Sequence, residues 1–239
     1  MTKTFSIQTV IKQGWDSFKT KPKFFILISL LYVVISAIPD IIGKMEKGIE
    51  GLAGDPVFIM LAAVIRIAAF VVGLIMPIGY TYILLRSADN QSVNIKDLFS
   101  THRVFWKFIL SGILVTLFVL LGFIALIIPG IWLSIALMFT SYVVVEDHLS
   151  PWNAIKRSYA LTKGVRWKLL GFILVVALLN ILGFIALGVG FLVTMPLSGL
   201  ASVHLYKSLK HQESELISKP EMAPVETVHT SSEHTPNVA

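Results

Sequence analysis

Six runs of apolar residues, at 24–42, 57–85, 104–128, 131–145, 167–187 and 191–206, alternate with charged segments along this 239-residue chain. A helix needs about 20 such residues to cross the hydrocarbon of a bilayer. Lipid offers no partner to backbone N–H and C=O groups, so apolar runs of this length cross it as helices. The pattern predicts an all-α fold, a polytopic membrane helix bundle with six spans arranged as three hairpins. Only 14% of residues are charged, against roughly a quarter in a soluble chain.

Between the hairpins lie short amphipathic segments. Residues 1–23 place Phe5, Val10, Ile11, Trp15 and Phe18 at helical spacing with Lys12 and Lys19 between or after them. A helix of this kind lies in the headgroup plane or in the cytosol. A second segment follows Ser92, with Val93, Ile95, Leu98 and Phe99. A third opens at Ser150-Pro151, a serine N-cap before a proline at the first helical position, and puts Trp152, Ile155, Tyr159 and Thr162 on one side. Residues 1–210 are expected as one six-helix membrane domain. Residues 211–239 are polar, proline-containing and free of aromatics, and are expected as a disordered cytoplasmic tail.

The charges give an orientation. Of the 20 Lys and Arg, 17 fall at the N-terminus, in 86–107, in 146–168 and after 206, while two fall in the 43–56 loop. The positive-inside rule then puts both termini in the cytoplasm, in a multi-pass inner-membrane protein. Trp15, Trp106, Trp152 and Trp167 fall at the cytoplasmic boundary and Trp132 at the opposite one, as two aromatic belts. The runs at 131–145 and 191–206 span only about 23 Å as helix. Either the bilayer thins around them, or the last two hairpins dip in and return.

The chain repeats itself. A shift of 61 residues brings Val104, Trp106 and Lys107 onto Val165, Trp167 and Lys168, and the LGFIAL at 121–126 onto the LGFIAL at 182–187. A weaker echo runs through Ile11-Lys12, Trp15, Lys19; Ile95-Lys96, Phe99, Arg103; and Ile155-Lys156, Tyr159, Lys163.

The basic residues beside apolar segments point to anionic lipid rather than nucleic acid. Lys12, Lys19, Lys156, Arg157, Lys163 and Lys168 are the candidate headgroup contacts. Two polar residues fall inside runs. Arg66 is either a functional buried charge or a residue snorkelling at the outer interface. Asn180 suits a hydrogen bond between helices. Glu146 and Asp147 suit local pairing with Lys156, Arg157 and Lys163. No cysteine is present, and no phosphate-cradling glycine loop, nucleophile elbow or zinc-protease helix occurs. No cofactor, metal or catalytic residue is assigned.

The stretch 127–171 carries a Pro129-Gly130 turn, the exit VVVED at 143–147, and the run of Ala154, Lys156, Arg157, Ser158, Tyr159, Leu161, Thr162, Lys163 and Gly164. It resembles a bacterial membrane-protein superfamily. That superfamily includes the YciC-like inner-membrane proteins and the membrane domain attached to some glycerophosphodiester phosphodiesterases. The resemblance covers the last four runs best and implies six helices and a non-catalytic membrane module. The phosphodiesterase activity of fused members is not expected here. The functional expectation is a non-enzymatic module that organises lipid, or a protein partner of unknown kind, at the cytoplasmic face. A small-solute transporter or permeability factor is the alternative.

Overall fold

The computed structural model describes residues 3–48, 55–99, 102–186 and 190–218. Residues 49–54 of the 43–56 loop, residues 187–189 of the last turn and residues 219–239 of the expected tail lie outside them. Among the described residues every regular element is helical. Five helical stretches are long and apolar enough to cross a membrane: Pro22–Met45, Pro56–Ala88, Phe105–Ala125, Ile127–Asp147 and Arg166–Ile185.

Helix α1 (Ile7–Thr20) precedes α2 (Pro22–Gly48) and α3 (Pro56–Ala88). The last two form a hairpin through which Tyr32 meets Tyr80, ring centroids 6.5 Å apart. At 33 residues α3 is about 50 Å long, well beyond a hydrocarbon core of about 30 Å. The amphipathic segment after Ser92 is a 3-10 turn, Ile95–Phe99, rather than an α-helix. Its Leu98 is fully buried, with its backbone so close to Gly79 of α3 that no side chain fits there.

Next come α4 (Phe105–Ala125), α5 (Ile127–Ala136), α6 (Thr140–Asp147) and α7 (Pro151–Thr162). The chain closes its described part with α8 (Arg166–Ile185) and α9 (Phe191–Ser218). The 61-residue repeat holds in three dimensions. Val104 and Val165 are the buried N-caps of α4 and α8, with φ, ψ of −103°, 0° and −121°, 7°. Trp106 and Trp167 stand exposed just after them. The repeated LGFIAL supplies Gly122 and Gly183, where each hairpin closes. A Cβ on Gly122 would lie 3.0 Å from the Gly130 Cα, and one on Gly183 would lie 2.5 Å from the Thr194 Oγ1. The repeat therefore encodes a helix pair that pinches shut on a missing side chain, as small residues allow in lipid.

Helix α9 is the hub. It packs against α1, α2, α3, α7 and α8, and Leu200, Ala201, Val203, Leu205, Tyr206 and Leu209 are buried. It is not among the five apolar stretches, and its position explains why. Protein rather than lipid surrounds it, so Thr194, Ser198, Ser202 and His204 are tolerable there. The boundary drawn at residue 210 is corrected: α9 continues helical through Ser218.

Two further expectations change. The apolar stripe of α1 does not face headgroups throughout. Val10, Gly14 and Phe18 are buried, and Gly14 sits so close to the Ala201 backbone that a Cβ would lie 2.8 Å from its nitrogen. On α7 the buried set is Ala154, Ile155, Ser158, Leu161 and Thr162, whereas Trp152 and Tyr159 are exposed. The aromatic residues on α7 mark its outer edge and the small ones its inner face.

The two aromatic belts also need correcting. Trp132, two residues past Gly130, lies edge-to-face with Trp167 at 5.9 Å between ring centroids. Two rings in contact cannot belong to boundaries about 30 Å apart. The turn of the α4–α5 hairpin therefore lies near the first turn of α8, not across the membrane from it.

Candidate functional site

The end of the molecule that carries α7 and the start of α8 gathers most of the cations singled out from sequence. Lys12, Lys156, Lys163 and Lys168 are exposed. Lys19 is exposed too, 3.8 Å from Asp16 and 5.4 Å above the Trp15 ring. Lys156 holds the same relation to Trp152, at 5.4 Å. The Lys168 Nζ donates to the Thr4 Oγ1 at 2.7 Å, which ties α8 to the N-terminus. Arg157 differs from the others in being half-buried, with an ion pair to Glu213 at 2.7 Å.

Behind this surface lies an ionic network that sequence reasoning missed. Its centre is the C-terminal half of α9. Lys210 donates to Glu146 at 2.8 Å and to Asp147 at 2.5 Å. Lys207 pairs with Asp89, just past the end of α3, and donates to the Leu85 carbonyl in the last turn of that helix at 3.2 Å. Glu213 takes Arg157 and, at 3.7 Å, Lys3. Lys3 also donates to the Ala160 carbonyl at 3.0 Å. Burial lowers the Lys3 pKa, against the pull of Glu213. Burial also works against charge on Lys210, but its hydrogen bonds to Asp147 and Glu146 outweigh that, and its pKa is raised. Glu146 and Asp147 thus do not pair with Lys156, Arg157 or Lys163. The signal was available in the i, i+3 spacing of Lys207 and Lys210 on a helix, but in the sequence they count only toward the orientation of the charges.

The motif of residues 154–164 acts on the break between α5 and α6. That break frees the Ala136 carbonyl and the Phe139 N–H in a buried place. The Ser158 Oγ accepts from the Phe139 N–H at 3.2 Å and donates to the Ala136 O at 3.0 Å. The Thr162 Oγ1 donates to the same carbonyl at 3.2 Å. Gly164 adopts φ +87°, a left-handed conformation that suits glycine, as the chain turns from α7 into α8.

Arg166, at the first position of α8, is only 8% exposed. Its guanidinium carbon lies 4.0 Å from the Tyr159 ring centroid and 5.2 Å from that of Trp132. Hydrogen bonding and charge from Arg166 lower the Tyr159 pKa. Arg166 was counted in the sequence only as one more boundary charge.

Arg66 and Asn180 sit on different helix pairs. Arg66 is half-buried beside Gly43, whose Cβ position lies 3.9 Å from its Nη2, and it stands about 33 Å along α3 from Ala88. The Asn180 Nδ2 donates to the Ser198 Oγ of α9 at 2.9 Å. His204 meets the Ser17 Oγ at 2.8 Å, and His211 lies 3.5 Å from Glu215. A groove of about 510 Å³ opens between α3 and α4, lined by Leu74, Pro77, Phe108, Ile113 and Leu117 among others. Its lining is nearly all hydrocarbon and suits an acyl chain.

Neither protein-family models, nor curated proteins, nor solved structures give a match to this chain.

Proposed function

We infer that the protein is a non-enzymatic, multi-pass inner-membrane module that gathers anionic phospholipid at its cytoplasmic face. The observation that carries this reading is the recurrence of an exposed tryptophan with a lysine within one helical turn. Trp15 with Lys19, Trp106 with Lys107, Trp152 with Lys156 and Trp167 with Lys168 form that series. Indole rings settle at headgroup depth, and the neighbouring ammonium groups then meet phosphate.

In this reading α2 and α3 cross the membrane, α8 and α9 enter it as the core pair, and the α4–α5 hairpin is a wedge inserted from the cytoplasmic side. The wedge is supported by the contact of Trp132 with Trp167 and by its exposed apolar tip, Leu126, Ile127 and Ile128. The tip is also economical in polar backbone. Only Leu126 interrupts the helices, its N–H bonds to the Gly122 O at 3.0 Å, and Pro129 has no N–H. Few donors are left to face lipid.

The test is lipid enrichment. The protein is reconstituted in nanodiscs of mixed phosphatidylglycerol and phosphatidylcholine, and the lipid that co-purifies after detergent extraction is measured. Wild type is expected to carry phosphatidylglycerol above its bulk fraction. The combined variant Lys156→Gln, Lys163→Gln, Lys168→Gln should lose most of that excess. Bulk composition around wild type would overturn the reading.

A further inference from the structure

The buried guanidinium of Arg166 is the least expected group in the molecule. In the 61-residue repeat its counterpart is Phe105, which packs edge-on against Trp106 at 5.4 Å. The second copy keeps the buried valine before that position and the exposed Trp-Lys after it. It places a permanent charge where the first copy has a ring. Packing does not call for such an exchange, since moving an arginine out of water without a counter-ion is costly.

Among the described residues no acidic side chain pairs with this charge. The Nε and Nη2 of Arg166 are buried and have no hydrogen-bond partner. The surrounding rings neutralise part of the cost through their π faces, and Tyr159 also engages the guanidinium by hydrogen bonding, but Nε and Nη2 are left without an acceptor. Arg166 also lines a cavity of about 170 Å³ whose other walls are Ile128, Ile131, Trp132, Ile135, Trp167 and Leu170. Two unmet donors on one rigid guanidinium match the paired oxygens of an oxyanion. The N-terminal end of α8, on which Arg166 is the first residue, favours the same sign of charge. The hydrocarbon walls exclude a free hydrated anion as the best occupant and favour one attached to an apolar body. Two of those walls, Ile128 and Trp167, are themselves largely exposed on the lipid-facing tip and at the boundary.

The geometry points to a specific phospholipid site in which the phosphate of one lipid pairs with the Nε and Nη2 of Arg166 and its glycerol end lies among Trp132, Trp167 and Leu170. This rests on the lipid-gathering reading and sharpens it, from a diffuse belt of lysines to one lipid held by one arginine. The acyl chains leave the cavity along Ile128, at the tip of the α4–α5 hairpin. Bound lipid thereby connects the wedge to α8.

The repeat supplies the decisive variant, Arg166→Phe, which gives the second copy the residue of the first. It removes an unpaired buried charge, so it is expected to fold at least as well as wild type in lipid-free detergent. Arg166→Gln serves as a second variant of closer size. Full-length protein in a nonionic detergent is titrated with short-chain phosphatidylglycerol, and separately with inorganic phosphate. Native mass spectrometry counts retained adducts, and thermal unfolding follows stabilisation. Wild type is expected to retain one lipid under activation at which both variants retain about tenfold less or none. The unfolding midpoint should rise with lipid in wild type and not in Arg166→Phe.

Equal retention in Arg166→Phe and wild type overturns the proposal. So does inorganic phosphate that matches the lipid in adduct and stabilisation, since the site would then take a free anion. The triple lysine variant separates this outcome from failure of the broader reading. If it loses bulk enrichment while Arg166→Phe changes nothing, the lysine belt stands and the arginine site falls. If it keeps the single lipid that Arg166→Phe loses, the arginine site stands by itself.

Discussion

Ser158 illustrates how a single hydroxyl can carry a fold-level burden. It accepts from the Phe139 N–H and donates to the Ala136 carbonyl, both freed by the break between α5 and α6. Ser158→Ala leaves the Phe139 N–H buried without a partner and is expected to cost about 1–3 kcal/mol. Ser134→Ala removes only an exposed bond to the Ile131 carbonyl of its own helix and should change stability by less than about 0.5 kcal/mol. Unfolding of both in the same detergent checks the difference, and equal midpoints would remove the clamp role. In the sequence, Ser158 and Thr162 stood inside a recognisable motif, but nothing there said what they held. The break they mend lies some twenty residues away, in a run whose uniform hydropathy gives no sign of it. Arg166 was illegible for the same reason. Its charge was read as one more boundary cation, and only the fold shows it turned inward between Tyr159 and Trp132.

The helical hairpin is the element this chain repeats. Its signature was readable, because LGFIAL occurs twice at the offset of the Trp-Lys pair. Its mechanics were not, since one glycine in an apolar run looks like any other. The structure separates them. Gly122 and Gly183 lie at close crossings, whereas a Cβ on Gly112 meets nothing within 4 Å. Glycine to alanine in a helix normally gains about 1 kcal/mol. The sign should therefore differ by position: Gly112→Ala raises the unfolding midpoint, while Gly122→Ala and Gly183→Ala lower it. A gain at all three would mean that the hairpins do not close on these residues. The early end expected for the last helix, whose apolar run stops at residue 206 while α9 continues to Ser218, has a related cause. Hydropathy finds helices that face lipid, and α9 faces other helices, so its small and polar residues masked both its length and its centrality.

At the scale of the whole molecule, the question is which hairpins cross. The chain has no cysteine, so single cysteines report without background. Gly130 and Gly190 are poor sites, because any Cβ there collides with Phe123 or with the Gly183 backbone. Val57 and Ile128 are exposed beside the two turns. In sealed vesicles, Val57→Cys is expected to react with a membrane-impermeant maleimide only from the non-cytoplasmic side. Ile128→Cys should be protected from that side. Labelling of Ile128→Cys from the same side as Val57→Cys would make the α4–α5 hairpin a full crossing and end the wedge proposal. Charge counting left both outcomes open because the turn carries no charge at all. A different consequence follows from the partnership of α1 with α9. Ser17 meets His204, 187 residues later in the chain. At a synthesis rate of about 5–20 residues per second, the first helix waits roughly 10–40 s for the surface it packs on. During that interval its Val10 and Gly14 face lacks α9 as its cover, although Phe18 can already stack on Phe25 of α2, so the nascent chain must rest that face on the membrane or on a chaperone. Assembly of this protein is therefore closed from its two ends at once, and the earliest helix made is among the last to be seated.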